Sequence, residues 1–313
     1  MKQPLIVVVG PTASGKSDLA VSLAKRFNGE VISADSMQIY QGMPIATAVI
    51  TEAEKQGIQH HLTEFLPPDA SFSVAEYVKR ARKVIDDILS RGKLPILCGG
   101  TGLYIQAVTE NVDYSEENRD ETYRLYLRRR LESEGGQALL NELSEIDPDF
   151  ARGLHPNNTL RILRALEVFH ATGETMTERH TKSKQNPSPY ETLIIGICFK
   201  QRERLYERID QRVEKMMEQG LLEEAKSFGI SAAFTASQAI GHKELHPYLN
   251  GEISLPEAIS HLKQKTRNYA KRQITWFSHM KGIQWLDADE FSAQEISAKA
   301  AEIVGFFLQS MLY

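Results

Sequence analysis

Leu5 to Val9 is an unbroken apolar run, and the octapeptide Gly10-Pro11-Thr12-Ala13-Ser14-Gly15-Lys16-Ser17 follows it directly. Such a run, rich in β-branched residues, suits a parallel strand covered on both faces. Beyond the octapeptide, Leu19, Ala20, Leu23, Ala24 and Phe27 recur at helical spacing. Strand, G-x4-G-K-[ST] loop and helix in that order predict a phosphate-binding loop. Gly10 and Gly15 allow the tight path. Backbone N–H groups from Thr12 to Ser17 and the helix N-terminus point at an anion. Lys16 adds positive charge, and the Ser17 hydroxyl can ligate Mg²⁺. A di- or triphosphate with Mg²⁺ is the expected occupant.

The strand and helix signals keep alternating. Val31-Ile32 makes a second strand, Leu94 to Cys98 a third, and Thr192 to Phe199 a further one. Between them, Ser73 to Arg91 carries Val74, Tyr77, Val78, Ala81, Val84, Ile85, Ile88 and Leu89 on one face. Ser73 with Glu76 fits a capping box at its start, and Gly92 fits its stop. The expected class is α/β: a P-loop NTPase-like parallel sheet core flanked by helices, with a helical insertion. Residues 1–112 and 190–313 form the expected core, and residues 113–189, where charged helical segments dominate, form the insertion.

The loop alone does not name a reaction. The GTPase strings D-x-x-G and N-K-x-D do not occur, and Leu94 to Cys98 ends in Gly-Gly-Thr rather than in an acid. The acid in a suitable place is Asp35, just after Val31-Ile32. Ligands of open α/β sheets sit at the carboxyl ends of strands, so Asp35, Thr101 and the phosphate loop should meet at one rim.

Charge narrows the partner. Thirty-seven Lys and Arg against 41 Asp and Glu, a net charge of -4, exclude a broadly basic nucleic-acid binder. Local patches are another matter. Lys263 to Lys281 holds six Lys/Arg and no acid, with Tyr269, Trp276 and Phe277 interleaved. Basic residues with aromatics suit RNA contact and stacking, although Trp276 and Phe277 individually read as core. Two cysteines, Cys98 and Cys198, make neither a disulfide framework nor a zinc site. With no long apolar run, they predict a cytoplasmic protein with no membrane association. His60 and His61 lack metal spacing and read as structural loop residues.

The strings GPTASGKS, ISADSMQIYQGM, HHL, GGTGLY, HPNN-x-x-R-x-x-RALEV, RI-x-x-RV-x-x-M, QAIGHKE and KRQITWF run in order from Gly10 to Phe277. Together they resemble the bacterial-type tRNA dimethylallyltransferases, also called tRNA isopentenyltransferases. The resemblance implies transfer of a dimethylallyl group from dimethylallyl diphosphate to N6 of the adenosine beside the tRNA anticodon, by a monomeric Mg²⁺-dependent enzyme. It assigns Asp35 as the base and Thr101 to the meeting point of the substrates. Gly10 to Ser17 and Arg212 would hold the diphosphate, with Ser17 on the metal. Asp35, Ser36, Met37 and Gln38 would meet a flipped nucleotide, Gln38 reading the adenine edge. Arg124, Arg161, Arg164, Lys271, Arg272 and Gln273 would touch the rest of the tRNA.

Two positions depart from the pattern. Where the family usually has I-G-T-A-K, this chain has Ile45-Ala46-Thr47-Ala48-Val49. The same core would also serve an enzyme prenylating free AMP, ADP or ATP, which would need no RNA-binding surface. A P-loop kinase is a further alternative, disfavoured by the missing second-strand acid.

Overall fold

The computed structural model describes residues 2–111, 120–184, 187–228 and 234–312. The chain divides into two compact units, 1–109 with 189–313, and 110–188. The expected boundary at 112/113 lies outside the described residues.

The first unit begins β1 (Gln3–Val9), α1 (Lys16–Arg26), β2 (Gly29–Ser33), α2 (Glu52–Lys55), β3 (His60–His61), α3 (Val74–Ser90), β4 (Leu94–Gly99) and α4 (Gly102–Thr109). The second unit holds α5 (Glu121–Ile146), α6 (Pro148–Ala151), α7 (Thr159–Thr172) and α8 (Met176–Lys184). The chain then returns with β5 (Tyr190–Cys198), α9 (Arg202–Glu218), α10 (Leu221–Ser227), a 3-10 turn at Thr235–Gln238, α11 (His242–Leu249), α12 (Leu255–Ser278), β6 (Ile283–Asp287) and α13 (Ala293–Ser310).

All six strands run parallel in the order β3-β2-β4-β1-β5-β6. β1 is central, and Leu5 to Val9 are fully buried, because helices cover both faces of the sheet. One face packs on Leu19, Leu23 and Ala24 of α1 and on Ile296, Ala300 and Val304 of α13. The capping box at Ser73 and Glu76 forms, and α3 buries Tyr77, Val78, Ala81, Ile85 and Ile88.

Two strands escaped the sequence reading. β3 is only two residues long, so His60 and His61 belong to the sheet edge rather than to a loop. β6 is the opposite edge strand, and its exposed Gln284 and Trp285 interrupt the apolar signal. His61 does act structurally: its Nε2 lies 2.7 Å from a Glu30 carboxylate oxygen. Arg91 and Lys93 donate to the same carboxylate at 2.6–2.7 Å.

Within the second unit, Leu127, Leu139, Leu143, Ile162 and Leu166 form a separate core. α5 is broken at Gly135, whose φ of 80° interrupts the helix. The Asp147 carboxylate accepts from the Thr177 N–H at 2.9 Å and the Thr177 hydroxyl at 2.5 Å, fastening the start of α6 to α8.

Candidate active site

Register brings three loops to one rim. Val9 pairs with Gly99, and Ser33 with Cys98, so the carboxyl ends of β1, β4 and β2 lie side by side. Pairing continues past the strands: the Ala34 N–H donates to Cys98 O at 2.8 Å and the Thr101 N–H to Ala34 O at 3.0 Å. The phosphate loop, Thr101 and Asp35 therefore stand at adjacent strand ends.

The phosphate loop forms as a turn between β1 and α1. Gly15 sits at φ +91°, a left-handed conformation that costs glycine little. Lys16 Nζ lies 3.4 Å from Pro11 O. Burial lowers its pKa, as does the positive charge of Arg212, while Cys98 and Asp35 act in the opposite direction. Arg212, half-buried, likewise has its pKa lowered by burial, opposed by the charges of Asp35 and Glu54. Two cations brought out of water, with few fixed anions beside them, favour an incoming polyanion.

A cavity of 640 Å³ opens here. Lys16, Ser17, Arg208, Arg212 and Lys215 supply its polar side, with Asp18 and Glu54. Pro44, Ile45, Ala48, Val49, Ile50 and Met216 form an apolar wall. A ligand with a polyanionic head and a hydrocarbon tail matches both surfaces.

On the acceptor side, Asp35 Oδ1 accepts from the Met37 N–H at 2.9 Å. Thr101 Oγ1 accepts from the Ser36 N–H at 2.9 Å and donates to Ser36 Oγ at 3.3 Å. Thr101 carbonyl starts α4, but the hydroxyl crosses to the Asp35 loop instead of capping its own helix. Tyr269 of α12 has its pKa raised above that of an ordinary phenol by burial and by the charge of Asp35.

The matching family model, described as IPP transferase, covers residues 38–280. The tRNA dimethylallyltransferase of Caldanaerobacter subterraneus is 47% identical, over 93% of this chain and 94% of that protein. That of Oceanobacillus iheyensis is 49% identical, over 91% of each. The crystal structure of a tRNA isopentenylpyrophosphate transferase from Bacillus halodurans superposes with a TM-score of 0.74 at 43% identity, covering 99% of this chain and 98% of that one. A eukaryotic dimethylallyltransferase acting on tRNA gives a TM-score of 0.81 at 32% identity, covering 98% of this chain and 80% of that one.

The chain belongs to the IPP transferase family.

Several residues of this IPP transferase family member lie elsewhere than expected. Gln273, expected to face tRNA, is 4% exposed and turned inward. Its Oε1 accepts from the Thr12 N–H at 2.8 Å, and its Nε2 donates to Gly100 O at 3.1 Å. The Thr12 N–H therefore does not point into the phosphate cradle, contrary to the sequence reading. Gln38 is engaged too: Oε1 accepts from the Ser33 hydroxyl at 2.8 Å, and Nε2 donates to Thr47 O and Ala48 O at 3.2 and 3.1 Å. Its amide braces the 43–49 loop, so reading a base edge would first require these bonds to break. Met37 is half-buried, and its neighbour Ile39 is core.

The departure at Ile45 to Val49 has a structural setting. The Glu224 carboxylate accepts from the Ile45 and Ala46 N–H groups at 2.7 and 2.9 Å, with His242 Nε2 at 2.8 Å. Val49 stands in the apolar wall of the cavity. On α9, Arg204 pairs with Asp289, while Arg208 and Arg212 both line the cavity, Arg208 also donating to Ala13 O at 2.8 Å. Sequence reasoning missed the ties made by Arg208, Glu224 and Gln273, because each joins positions far apart in the chain.

On α12, Lys263 pairs with Glu214 and Arg267 with Asp210, so acids of α9 offset part of the basic run. Lys271 and Arg272 are exposed, lying over the rings of Tyr206 and Tyr269 at 5.8 and 5.6 Å. Trp276 is half-buried and Phe277 fully buried. In the second unit, Arg124 and Arg164 share Glu167 at 3.6 and 3.7 Å, lining a cleft of 130 Å³ with Arg128 and Leu160. Arg161 is exposed. No group of three or more His, Cys, Asp or Glu positioned for a metal occurs among the described residues, nor any helix long and apolar enough to cross a membrane.

Proposed function

We propose that this protein transfers a dimethylallyl group from dimethylallyl diphosphate to N6 of the adenosine 3′-adjacent to the anticodon of tRNA, releasing diphosphate. The observation that carries this reading is the cavity at the phosphate loop. It joins a cluster of cations to an apolar wall, and Asp35 acts electrostatically on two of them, the half-buried Lys16 and Arg212.

In the reaction the N6–C1 bond forms and the C1–O bond breaks. The electron pair of that bond leaves with the diphosphate. Adenine N6 is a weak nucleophile, because its lone pair is delocalised into the ring. Asp35 accepts the N6 proton as the new bond forms, an effect worth typically about 10²–10⁴ in rate. Lys16, Arg212 and the N–H groups of residues 13–17 stabilise charge growing on the leaving group. The Ser17 hydroxyl and Asp18 carboxylate are hard oxygen donors in the same cavity and would hold Mg²⁺. When bound, Mg²⁺ neutralises part of the diphosphate charge. The base must leave the anticodon stack to reach Asp35, at a cost of a few kcal/mol.

Lys271 and Arg272 on α12, with Arg124, Arg161 and Arg164 of the second unit, supply tRNA backbone contacts. Those basic surfaces favour tRNA over a free adenylate as acceptor. The protein works as a cytoplasmic monomer, a setting in keeping with its unpaired Cys98 and Cys198.

The test is labelled dimethylallyl diphosphate offered with tRNA or with AMP, followed by mass spectrometry of the tRNA nucleosides. Prenylated adenosine from tRNA is the expected product, and transfer to AMP alone would reject the reading. Asp35→Ala should abolish transfer while diphosphate binding survives. Near-normal turnover in that variant would reject Asp35 as the base.

A further inference from the structure

Gln273 bridges the two halves of the site. It accepts from the Thr12 N–H of the phosphate loop and donates to Gly100 O, the residue before Thr101. Both contacts are direct, at 2.8 and 3.1 Å, and the side chain is almost wholly buried. The space is closed: a Cβ on Gly100 would stand 2.0 Å from Gln273 Nε2. One helical turn earlier, the Tyr269 hydroxyl lies beside the same spot, 3.7 Å from where a Gly100 Cβ would stand. A short relay therefore runs from Thr12 through Gln273, Gly100 and Thr101 to Ser36, the neighbour of Asp35.

We propose that Gln273 is a positioning residue that fixes the distance between the diphosphate cradle and the Asp35–Thr101 loop. The role rests on the transferase reading above. Displacement at an allylic carbon needs leaving group, C1 and N6 aligned. The leaving group is held by one loop and the acceptor by another. Only a side chain with both an acceptor and a donor can fasten one loop's N–H and the other's carbonyl at once. Glutamine does this without bringing a charge beside the diphosphate. A misplacement of about 1 Å between reacting groups can cost about 10² in rate. The Gln273 side chain is buried and both of its amide atoms are engaged by backbone groups, so its loss should fall on kcat.

The test uses the full chain with tRNA and dimethylallyl diphosphate. Gln273→Met keeps the length and removes both hydrogen bonds. The expected result is a fall in kcat of about 10²-fold, with tRNA Kd and donor KM within about 3-fold of the unaltered protein. A loss of tRNA affinity at unchanged kcat would overturn the proposal and restore Gln273 to the RNA surface. Gln273→Glu supplies a second readout if the methionine variant folds poorly. A protonated carboxyl can accept from Thr12 and donate to Gly100 O, whereas a carboxylate cannot donate. Its kcat relative to the unaltered protein should therefore fall as pH rises through the carboxyl pKa, which burial raises. Tyr269, one turn away on α12, has its own pKa raised by burial and stays neutral throughout. A kcat ratio independent of pH would refute the bridge. Absence of transfer by the unaltered protein would instead overturn the reaction itself, and this role with it.

Discussion

The Thr101 hydroxyl, at the end of β4, accepts a hydrogen bond from the Ser36 N–H, just past the end of β2, at 2.9 Å. This side-chain tie adds to the backbone bond from the Thr101 N–H to Ala34 O and joins the two loops beside Asp35. Thr101→Val keeps the shape and leaves the Ser36 N–H without that acceptor. An unsatisfied buried donor costs about 1–3 kcal/mol, and here the Asp35 loop can relax to escape it. Turnover should drop at least tenfold, with donor KM little changed. Steady-state kinetics with varied donor checks this; a pure KM effect would contradict it.

Arg212 and Arg208 should separate in the same assay. Both line the cavity; Arg212 has its pKa lowered by burial, whereas Arg208 also spends its Nε–H on Ala13 O. Arg212→Met should raise donor KM by about 10–10²-fold, the range for a charge-assisted contact to phosphate. Arg208→Met should act less on the donor and more on thermal stability. Equal effects on donor KM would remove the distinction.

Lys271 and Arg272 are the cations of the α12 basic run that stay exposed over aromatic rings. Reversing both charges should weaken tRNA binding far more than diphosphate binding. Neutralising both should lower the slope of log affinity against log salt by about 2. Filter binding across a salt series measures it, and equal losses for the two ligands would contradict the partition.

Glu30 is 3% exposed, and its bonds to Arg91, together with those to Lys93 and His61, hold its pKa well below the ordinary 4.5. A depressed carboxylate pKa adds stability that is complete above the unfolded value and disappears as pH falls through the folded one. Glu30→Gln should cost about 2 kcal/mol at pH 7, since Arg91 and Lys93 can turn to water. The difference from the unaltered protein should shrink below about pH 4. Denaturant midpoints at a series of pH values would show a constant difference if the assignment is wrong.

The local signals were strong wherever one segment carried its own evidence. The strand at Leu5 to Val9, the phosphate loop, the capped α3 and the strand at Leu94 to Cys98 all appear where periodicity and capping residues put them. Short-range patterns report short-range structure, because backbone hydrogen bonding and burial act along the segment itself. Edge strands gave little signal: β3 has two residues and β6 buries only part of its length. Side-chain partners were not legible at all. Gln273 reads as one polar residue in a basic run, and only its packing against residues 12 and 100 reveals an inward amide.

By itself the sequence determined that a β-strand, a phosphate-binding loop and a helix stand at the head of an α/β chain, with Asp35 and Thr101 just after two further strands. These follow from hydrophobic period and from the backbone demands of Gly10 and Gly15. Tertiary structure decided which polar groups face the cavity and which are spent on holding it together. Gln38 and Gln273, both expected at a base or an RNA surface, are consumed by backbone groups, because a buried N–H or carbonyl must find a partner. Arg212 and Arg208, one helical turn apart, both line the cavity, but Arg208 is also used to anchor Ala13. That choice depends on what lies opposite each side chain, and only the packed sheet and its helices supply it.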